Sequence, residues 1–208
     1  MLHKIWHKGP GMRKKLIFFA VVFLSLSVVC AAAAGLEDGA AAYTKGDYVR
    51  AWFELKPLAE RGNPEAQWYL GVMSHDGKGT PKNYEEAVKW FRKAVEQGYA
   101  KAEFNLGVMY RRGLGVEQDD AEAVRLYREA AEKGHLDAQY NIGVMFAEGQ
   151  GVGEDLVKAY MWFSLVAATG DSTAKKNMEI IAARMTPSQI AEAQRLAKEW
   201  KPKGKIKG

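Results

Sequence analysis

Residues 102–146, AEFNLGVMYRRGLGVEQDDAEAVRLYREAAEKGHLDAQYNIGVMF, decide the fold. This stretch contains one pattern twice, 36 residues apart: an alanine, then an aliphatic residue and a glycine four and five positions later. The same period relates residues across the chain, namely the glycines Gly62, Gly98, Gly134 and Gly170 and the alanines Ala66, Ala102, Ala138 and Ala174. A fixed period of this length is typical of repeat proteins, whose neighbouring units bury a continuous core.

The first half of each unit predicts a helix, here named helix A. Apolar side chains recur at helical spacing over residues 64–74, 100–110 and 136–146. A Gly-x-Gly loop follows each segment, and its glycines can adopt the positive φ that closes a helix. Because this loop recurs with the unit and ends a helix, we interpret its glycines as turn residues and not as a phosphate-binding loop.

The second half of each unit predicts helix B. Its expected N-cap residues are Asn83, Asp119 and Asp155, which lie 36 residues apart. Glu86 and Glu122 stand three residues after the first two caps, so we expect capping boxes in two copies. Helix B is expected to end at the next of the 36-spaced glycines. No segment alternates as a strand does, so the predicted fold class is all-α, an α/α solenoid of stacked helix pairs.

Small residues recur where the two helices of a unit are expected to meet. Helix A contains Gly71, Gly107 and Gly143, although a glycine inside a helix costs about 1 kcal/mol relative to alanine. We therefore expect a contact with helix B that is too close for a Cβ atom. The residues expected to face the glycines are Ala87, Ala123 and Ala159. The large pairs that follow these alanines are predicted to form the core: Trp90-Phe91, Leu126-Tyr127 and Trp162-Phe163.

The ends of the chain depart from the repeat. The solenoid is expected over residues 35–200, with units at about 36–62, 63–98, 99–134 and 135–170 and a cap at 171–200. Thr186, Pro187 and Gln189 predict the start of a C-terminal capping helix. Residues 201–208 carry four lysines and predict a basic flexible tail that does not pack. The tail is either solvated or tethers the chain to anionic lipid or envelope polymer.

Residues 1–34 have the composition of a secretory signal peptide. Residues 12–15 are basic apart from Met12, residues 16–29 form an apolar run, and Ala32-Ala33-Ala34 supplies a cleavage site. Met12 is a possible true start of the protein. We expect cleavage and therefore a periplasmic or secreted protein. The alternative is a membrane anchor, since residues 16–34 are just long enough to span a bilayer.

The composition excludes several classes of function. The chain has a net charge of +5, but residues 1–34 contain five basic and no acidic residues, so the remainder has 25 of each sign. A basic surface for nucleic acid is therefore not expected. The single cysteine, Cys30, excludes a disulfide framework and a cysteine zinc site. We expect neither a metal nor a cofactor, and His75-Asp76 lacks the nearby nucleophile that a catalytic site requires.

The repeated features together resemble Sel1-like repeats, which are relatives of the tetratricopeptide repeat. The resemblance covers residues 36–200 and rests on the spaced alanine, the Leu-Gly pair, the Gly-x-Gly-Val loop, the aspartate cap and the Ala-x-x-x-Tyr-x-x-Ala-Ala segment. It implies a solenoid that binds proteins or peptides and that bacteria often export. Some cysteine-rich exported relatives are associated with penicillin binding and weak β-lactamase activity. This chain has no cysteine after residue 30, so that activity is not carried over.

The resemblance to tetratricopeptide proteins also implies a concave binding groove on helix A. The helix A face opposite Ala66, Leu70 and Met73 carries aromatic and aliphatic side chains with charged edges, which suits an extended peptide or a partner helix. The candidate residues on it are Trp68, Val72, Phe104, Arg111, Arg112 and Tyr140. The aromatic members have an alternative role, packing between adjacent helices A. The two arginines would then be the most exposed candidates, able to pair with a carboxylate.

Two functions from different classes follow. The first is a non-enzymatic adaptor of the bacterial cell envelope, whose partner is an unidentified protein or peptide. The protein would contact the membrane only through the signal segment or the basic tail. The second is an envelope hydrolase or peptidoglycan-related binder of the β-lactamase-like kind. We favour the adaptor, because a hydrolase needs a nucleophile and a base that no motif supplies.

Export generates the first testable prediction. The mature N-terminus should fall between Ala32 and Leu36, because the basic flank, the apolar run and the alanine cluster stand in the order that a signal peptidase recognises. N-terminal sequencing and the intact mass of the native protein measure it. A full-length mass in the membrane fraction would show an anchor instead, and a lipid on Cys30 would show a lipoprotein.

Overall fold

The computed structural model describes residues 35–203, and these residues form ten α-helices and no β-strand. Helix α1 covers residues 35–44, and α2 spans Tyr48–Glu60. The other eight helices are α3 (Pro64–Asp76), α4 (Tyr84–Val95), α5 (Ala100–Arg112), α6 (Asp120–Glu132), α7 (Leu136–Glu148), α8 (Leu156–Ala167), α9 (Ser172–Ala182) and α10 (Pro187–Glu199). The predicted all-α solenoid is confirmed. The predicted signal segment and residues 204–208 of the tail lie outside the described residues.

The helices pair within each unit and stack between units. α3 packs against α4, α5 against α6, and α7 against α8, and each of these B helices also contacts the A helix of the following unit. Three buried apolar clusters extend from α1 to α10 along this stack. The aromatic residues predicted as core are buried, and Phe91, Tyr127 and Phe163 are each 1% exposed.

Helix A is two residues longer at its C-terminus than predicted. α3, α5 and α7 end at Asp76, Arg112 and Glu148, not at residues 74, 110 and 146. The first loop glycine of each unit, for example Gly77 with a φ of 74°, adopts the left-handed conformation, so helical geometry continues up to that residue.

The N-caps of helix B form as predicted, but the capping boxes do not. The side chains of Asn83, Asp119 and Asp155 each accept a hydrogen bond from the backbone N–H three residues later, at 2.9–3.0 Å. The carboxylate of Glu122 turns away from the cap because Arg125 donates two hydrogen bonds to it. Within residues 35–203 a complete capping box occurs at Thr186 and Gln189, where α10 begins.

The glycines inside helix A contact aromatic rings of helix B. An ideal Cβ atom at Gly107 would lie 2.8 Å from a ring carbon of Tyr127, which is shorter than real Cβ contacts, and Gly143 has the same relation to Phe163. The ring atoms therefore lie nearer to the glycine than the alanine that is expected to face it. Ala123 also lies beside Gly107, with its backbone oxygen 3.5 Å from the Cβ position.

The abbreviated first unit contains the same contact in a shifted register. A Cβ atom at Gly39 of α1 would overlap Leu55 of α2, and Leu55 stands 36 residues before Phe91. Gly39 and Leu55 are 16 residues apart, whereas Gly71 and Phe91 are 20 apart, so the loop of this unit is four residues shorter. The shorter loop moves the glycine out of the 36-residue period, which hides it from the sequence pattern.

The second loop glycine of each unit contacts the preceding unit. A Cβ atom at Gly115 would lie 2.6 Å from the backbone oxygen of Tyr84 and 2.7 Å from the nitrogen of Glu85, at the start of α4. Gly79 and Gly151 approach the starts of α2 and α6 in the same way. The Gly-x-Gly loop therefore closes helix A with its first glycine and permits backbone contact between units with its second.

The C-terminal end of the stack is covered by α10, which packs against α8. Trp200, at the end of α10, meets Trp162 edge-on with ring centroids 6.0 Å apart. Beyond it, Lys203 donates from its backbone N–H to the carbonyl of Glu132 at 2.7 Å and places Nζ 2.9 Å from the Glu132 carboxylate. This contact differs from the expectation of a tail that does not pack, because Glu132 supplies two acceptors at one point.

A helix glycine that contacts a ring generates a prediction about stability. Gly107→Val should lower the free energy of unfolding by roughly 1–3 kcal/mol, because the added methyl groups overlap the Tyr127 ring. Gly153→Val is the matched control, since no atom lies within 4 Å of a Cβ placed at Gly153. Chemical denaturation of both variants measures the difference, and equal stabilities would contradict the contact.

Candidate functional site

A row of aliphatic side chains runs along helix A from unit to unit. Val72, Val108 and Val144 are half-buried and occupy equivalent positions 36 residues apart. Ile180 of α9 continues the row at the same interval and is 55% exposed. We name this set the helix A row. The sequence pattern places Val72, Val108 and Val144 on this face, and the same 36-residue spacing would have identified Ile180.

The aromatic candidates join adjacent units. Trp68 donates from Nε1 to Oδ1 of Asn105 in the following unit at 2.8 Å, and Asn177 donates from Nδ2 to the hydroxyl of Tyr140 at 2.9 Å. Phe104 has no polar atom and instead stacks on the ring of His135, with centroids 4.8 Å apart. All three aromatic side chains are half-buried, so packing between units is a role that they fill whether or not they also contact a partner.

The asparagines in these contacts were missed by the sequence reasoning. Asn105, Asn141 and Asn177 lie 36 residues apart, directly after the aromatic position of each unit or its equivalent. Two of them bind an aromatic side chain of the preceding unit. Asn141 belongs to the unit after that of Phe104. Because the Phe104 side chain has no hydrogen-bonding group, Asn141 contacts Arg111 instead. The period was a sufficient signal to find them.

The two arginine candidates have different environments. Arg111 is half-buried and donates to Gln150 at 3.0 Å and to Asn141 at 3.4 Å, both in the following unit. It therefore differs from the expected exposed arginine, because α7 and its loop supply acceptors within its reach. Arg112 is exposed, and no carboxylate of residues 35–203 lies within 4.0 Å of it. Of the pair, Arg112 is the one available to a partner.

Charged side chains of alternating sign border the helix A row. Asp76, Arg112, Glu148 and Arg184 hold equivalent positions at the ends of their helices. Arg184 is paired with Glu154 at 2.6 Å, and Asp76 is paired with His75 and Lys78. Burial alone would raise the pKa of Asp76, but the hydrogen bonds from His75 and Lys78 outweigh it and hold that pKa below its ordinary value. Arg112 and Glu148, in the middle of this border, have no ion pair within residues 35–203.

A groove opens at the C-terminal end of the helix A row. It has a volume of about 210 Å³ and lies between α7 and α9. Its lining includes Val144, Ala147, Phe163, Asn177, Ile180 and Arg184. The groove is an apolar depression with an amide and a guanidinium at its edge, which is the kind of surface that accepts an apolar side chain of a partner.

Three consecutive segments match one family. Residues 64–99, 100–135 and 136–171 each match the Sel1 repeat, and together they make up more than half of the chain. The chain belongs to the Sel1 repeat family. The matched segments correspond to the pairs α3–α4, α5–α6 and α7–α8, so each Sel1 repeat is one helix pair.

Two solved Sel1 repeat structures are similar to this chain. One is a Sel1 repeat protein from Oxalobacter formigenes, with 36% identity and a TM-score of 0.67 over 70% of this chain and 60% of that one. The other is c5321, a protective antigen present in uropathogenic Escherichia coli strains, with 31% identity and a TM-score of 0.67 over 73% of this chain and 32% of that one. This chain spans less than two thirds of the length of either protein. No curated protein matches it.

Among residues 35–203, no group of three or more His, Cys, Asp or Glu side chains is placed to hold a metal ion. In the same range, no helix combines the length and the apolar composition needed to cross a bilayer.

Each Sel1 repeat buries one polar side chain near the start of helix A. Gln67 and Gln139 donate from Nε2 to the carbonyls of Ala59 and Ala131 in the preceding unit, at 3.0 and 3.1 Å. The equivalent residue is Glu103, which is 1% exposed and accepts a short hydrogen bond from Lys133. Burial raises the pKa of Glu103, and Lys133 opposes this. The other carboxylate oxygen of Glu103 is buried without a partner.

Glu103→Gln should therefore be tolerated. The amide can accept from Lys133 and donate to the preceding unit as Gln67 does, so we expect the free energy of unfolding at neutral pH to stay equal or rise by up to about 1 kcal/mol. Glu103→Ala should lower it by about 2–3 kcal/mol, because Lys133 loses its carboxylate partner and keeps the Gly98 carbonyl. A glutamine variant as unstable as the alanine variant would show that the ion pair is required.

The difference in unfolding free energy between Glu103→Gln and the natural protein should depend on pH with a definite sign. The folded state holds the proton on Glu103 more tightly than the unfolded chain does, so this stabilising contribution is complete below the ordinary pKa of 4.5 and is lost as the pH rises through the raised pKa. The advantage of Glu103→Gln over the natural protein should therefore shrink as the pH falls from neutral. Urea denaturation across this range measures it.

Proposed function

We propose that this protein is a non-enzymatic adaptor that binds a protein or peptide along the helix A row. Sel1 repeat proteins generally mediate protein–protein interactions. The observation that supports this role here is the row from Val72 to Ile180, which ends in a side chain that is 55% exposed beside an apolar groove. An apolar row with charges of alternating sign at its border suits an extended peptide or a partner helix.

We further propose that the partner is met in the bacterial cell envelope. The basic flank, apolar run and alanine cluster of residues 1–34 support export, and the solenoid would act there after cleavage. In the alternative, residues 16–34 anchor the same solenoid to the membrane. In both cases the helix A row would face envelope proteins.

The hydrolase alternative gains no support from the described residues. Nδ1 of His75 lies 2.8 Å from Oδ1 of Asp76. The other carboxylate oxygen of Asp76 binds Nζ of Lys78 at 2.9 Å, so the pair lies in an ion cluster at a loop edge. A turnover assay of the purified mature protein with a chromogenic β-lactam distinguishes the two functions. If the protein is an adaptor, the turnover should not exceed that of a buffer control.

Substitutions on the helix A row test the adaptor function. A partner is first captured from the envelope fraction with the natural protein and identified. Ile180→Glu should then weaken its binding roughly tenfold, because a charge replaces an exposed apolar contact. Arg112→Glu should change the salt dependence of binding.

Lys89→Glu, on the 68% exposed side chain of α4, is the control and should leave binding unchanged. All three variants should keep their melting temperatures within the range of surface substitutions. A folded Ile180→Glu variant that binds the captured partner with natural affinity would remove the helix A row from the site.

A further inference from the structure

A second pocket lies between α6, α7, α8 and α10 and shares no lining residue with the helix A groove. Its volume is about 370 Å³, within the usual size range of ligand pockets, and it is open to solvent on one side. Phe146, Met161 and Trp162 form its buried apolar floor, and Leu196 of the capping helix closes one edge. The polar lining residues are Arg128, Glu132 and Lys158.

The equivalent arginine in the preceding unit is exposed, as Arg128 is, but it has a hydrogen-bond partner. Arg92, 36 residues before Arg128, lies with its guanidinium carbon 5.9 Å from the centre of the Tyr110 ring and donates to the Tyr110 hydroxyl at 2.8 Å. Arg128 lies at the same 5.9 Å from the ring of Phe146, which stands at the Tyr110 position. Phenylalanine has no hydroxyl, and Arg128 has no hydrogen-bond acceptor or carboxylate partner among residues 35–203.

Two more positions differ between the units. The preceding unit has Glu122 and Arg125, and Arg125 is held at 2.6 Å by both Glu122 and Glu129. The equivalent residues in the pocket are Lys158 and Met161. The ion pairs of the preceding unit are thus replaced in the pocket by the apolar side chain of Met161 and by a second cation, Lys158. Its Nζ lies 5.3 Å from the centre of the Phe146 ring.

The nearby acids are already paired. Glu132 binds Nζ of Lys203 at 2.9 Å, and Asp155 binds Lys158 at 2.9 Å. Of the charged rim residues that the structure describes, Arg128 is the one without an ion pair. A planar guanidinium above an apolar floor is suited to a carboxylate, which can accept two parallel hydrogen bonds from it.

We propose that this pocket binds an acidic peptide segment, with an Asp or Glu carboxylate on Arg128 and a neighbouring apolar side chain on the floor of Phe146, Met161 and Trp162. The open side of the pocket suits one or two side chains of a longer chain. The lysine-rich residues 204–208 are a poor occupant, because the rim is already positive. This site is separate from the helix A row and does not depend on the function proposed for it.

Fluorescence anisotropy of a short labelled peptide tests the proposal. The probe is a Gly/Ser-rich peptide with a central Leu-Glu pair, compared with Leu-Gln and Ser-Glu analogues. The natural protein should bind the Leu-Glu peptide at least several-fold more tightly than either analogue. Arg128→Gln should weaken that binding roughly tenfold, the loss expected for a charge-assisted hydrogen bond.

Two matched variants separate binding from folding. Phe146→Tyr rebuilds the Arg92–Tyr110 contact, so it should keep the fold, satisfy Arg128 and weaken the Leu-Glu peptide several-fold. Arg125→Gln, one turn before Arg128 on the same helix, should leave binding unchanged. Equal binding of the Leu-Glu and Leu-Gln peptides, or full binding by a folded Arg128→Gln variant, would overturn the proposal.

Discussion

The close contact between a helix glycine and an aromatic ring determines how each unit is built. Because Gly107 has no Cβ, the ring of Tyr127 lies against the backbone of α5 and fixes the distance between the two helices of the unit. The first unit has an equivalent close contact between Gly39 and Leu55, with a leucine in place of the ring, even though its loop is shorter. A packed interior leaves little room for adjustment. The close packing that glycine permits therefore offsets its low helix propensity.

Contacts between units set the surface that a partner meets. The second loop glycine brings the backbone of one unit against the next, and the bonds from Trp68 to Asn105 and from Asn177 to Tyr140 fix the spacing of helices A. The aromatic side chains are partly buried by this packing. The valine and isoleucine positions then form a continuous row, because every unit repeats the same offset from its neighbour.

Residues that vary between equivalent positions carry the specific features of this chain. Where one unit has Tyr110, whose hydroxyl accepts from Arg92, the next has Phe146, and Arg128 has no acceptor within the described part of the chain. A repeat protein offers this comparison within one molecule, since the frame is constant and only the side chain differs. The same comparison identifies Glu103 as an exception among buried glutamines at its position.

The sequence by itself determined the 36-residue period, the helix pairs, the N-caps and the glycines, because propensity and spacing act over a few residues and recur in every unit. It also placed the core aromatics correctly. Only the tertiary structure decided that the Tyr127 ring lies nearer to Gly107 than Ala123 does, that Arg111 turns to Asn141, and that Arg128 has no acceptor among residues 35–203. These contacts depend on side-chain length and on the rotation between units, and no local pattern along the chain encodes either.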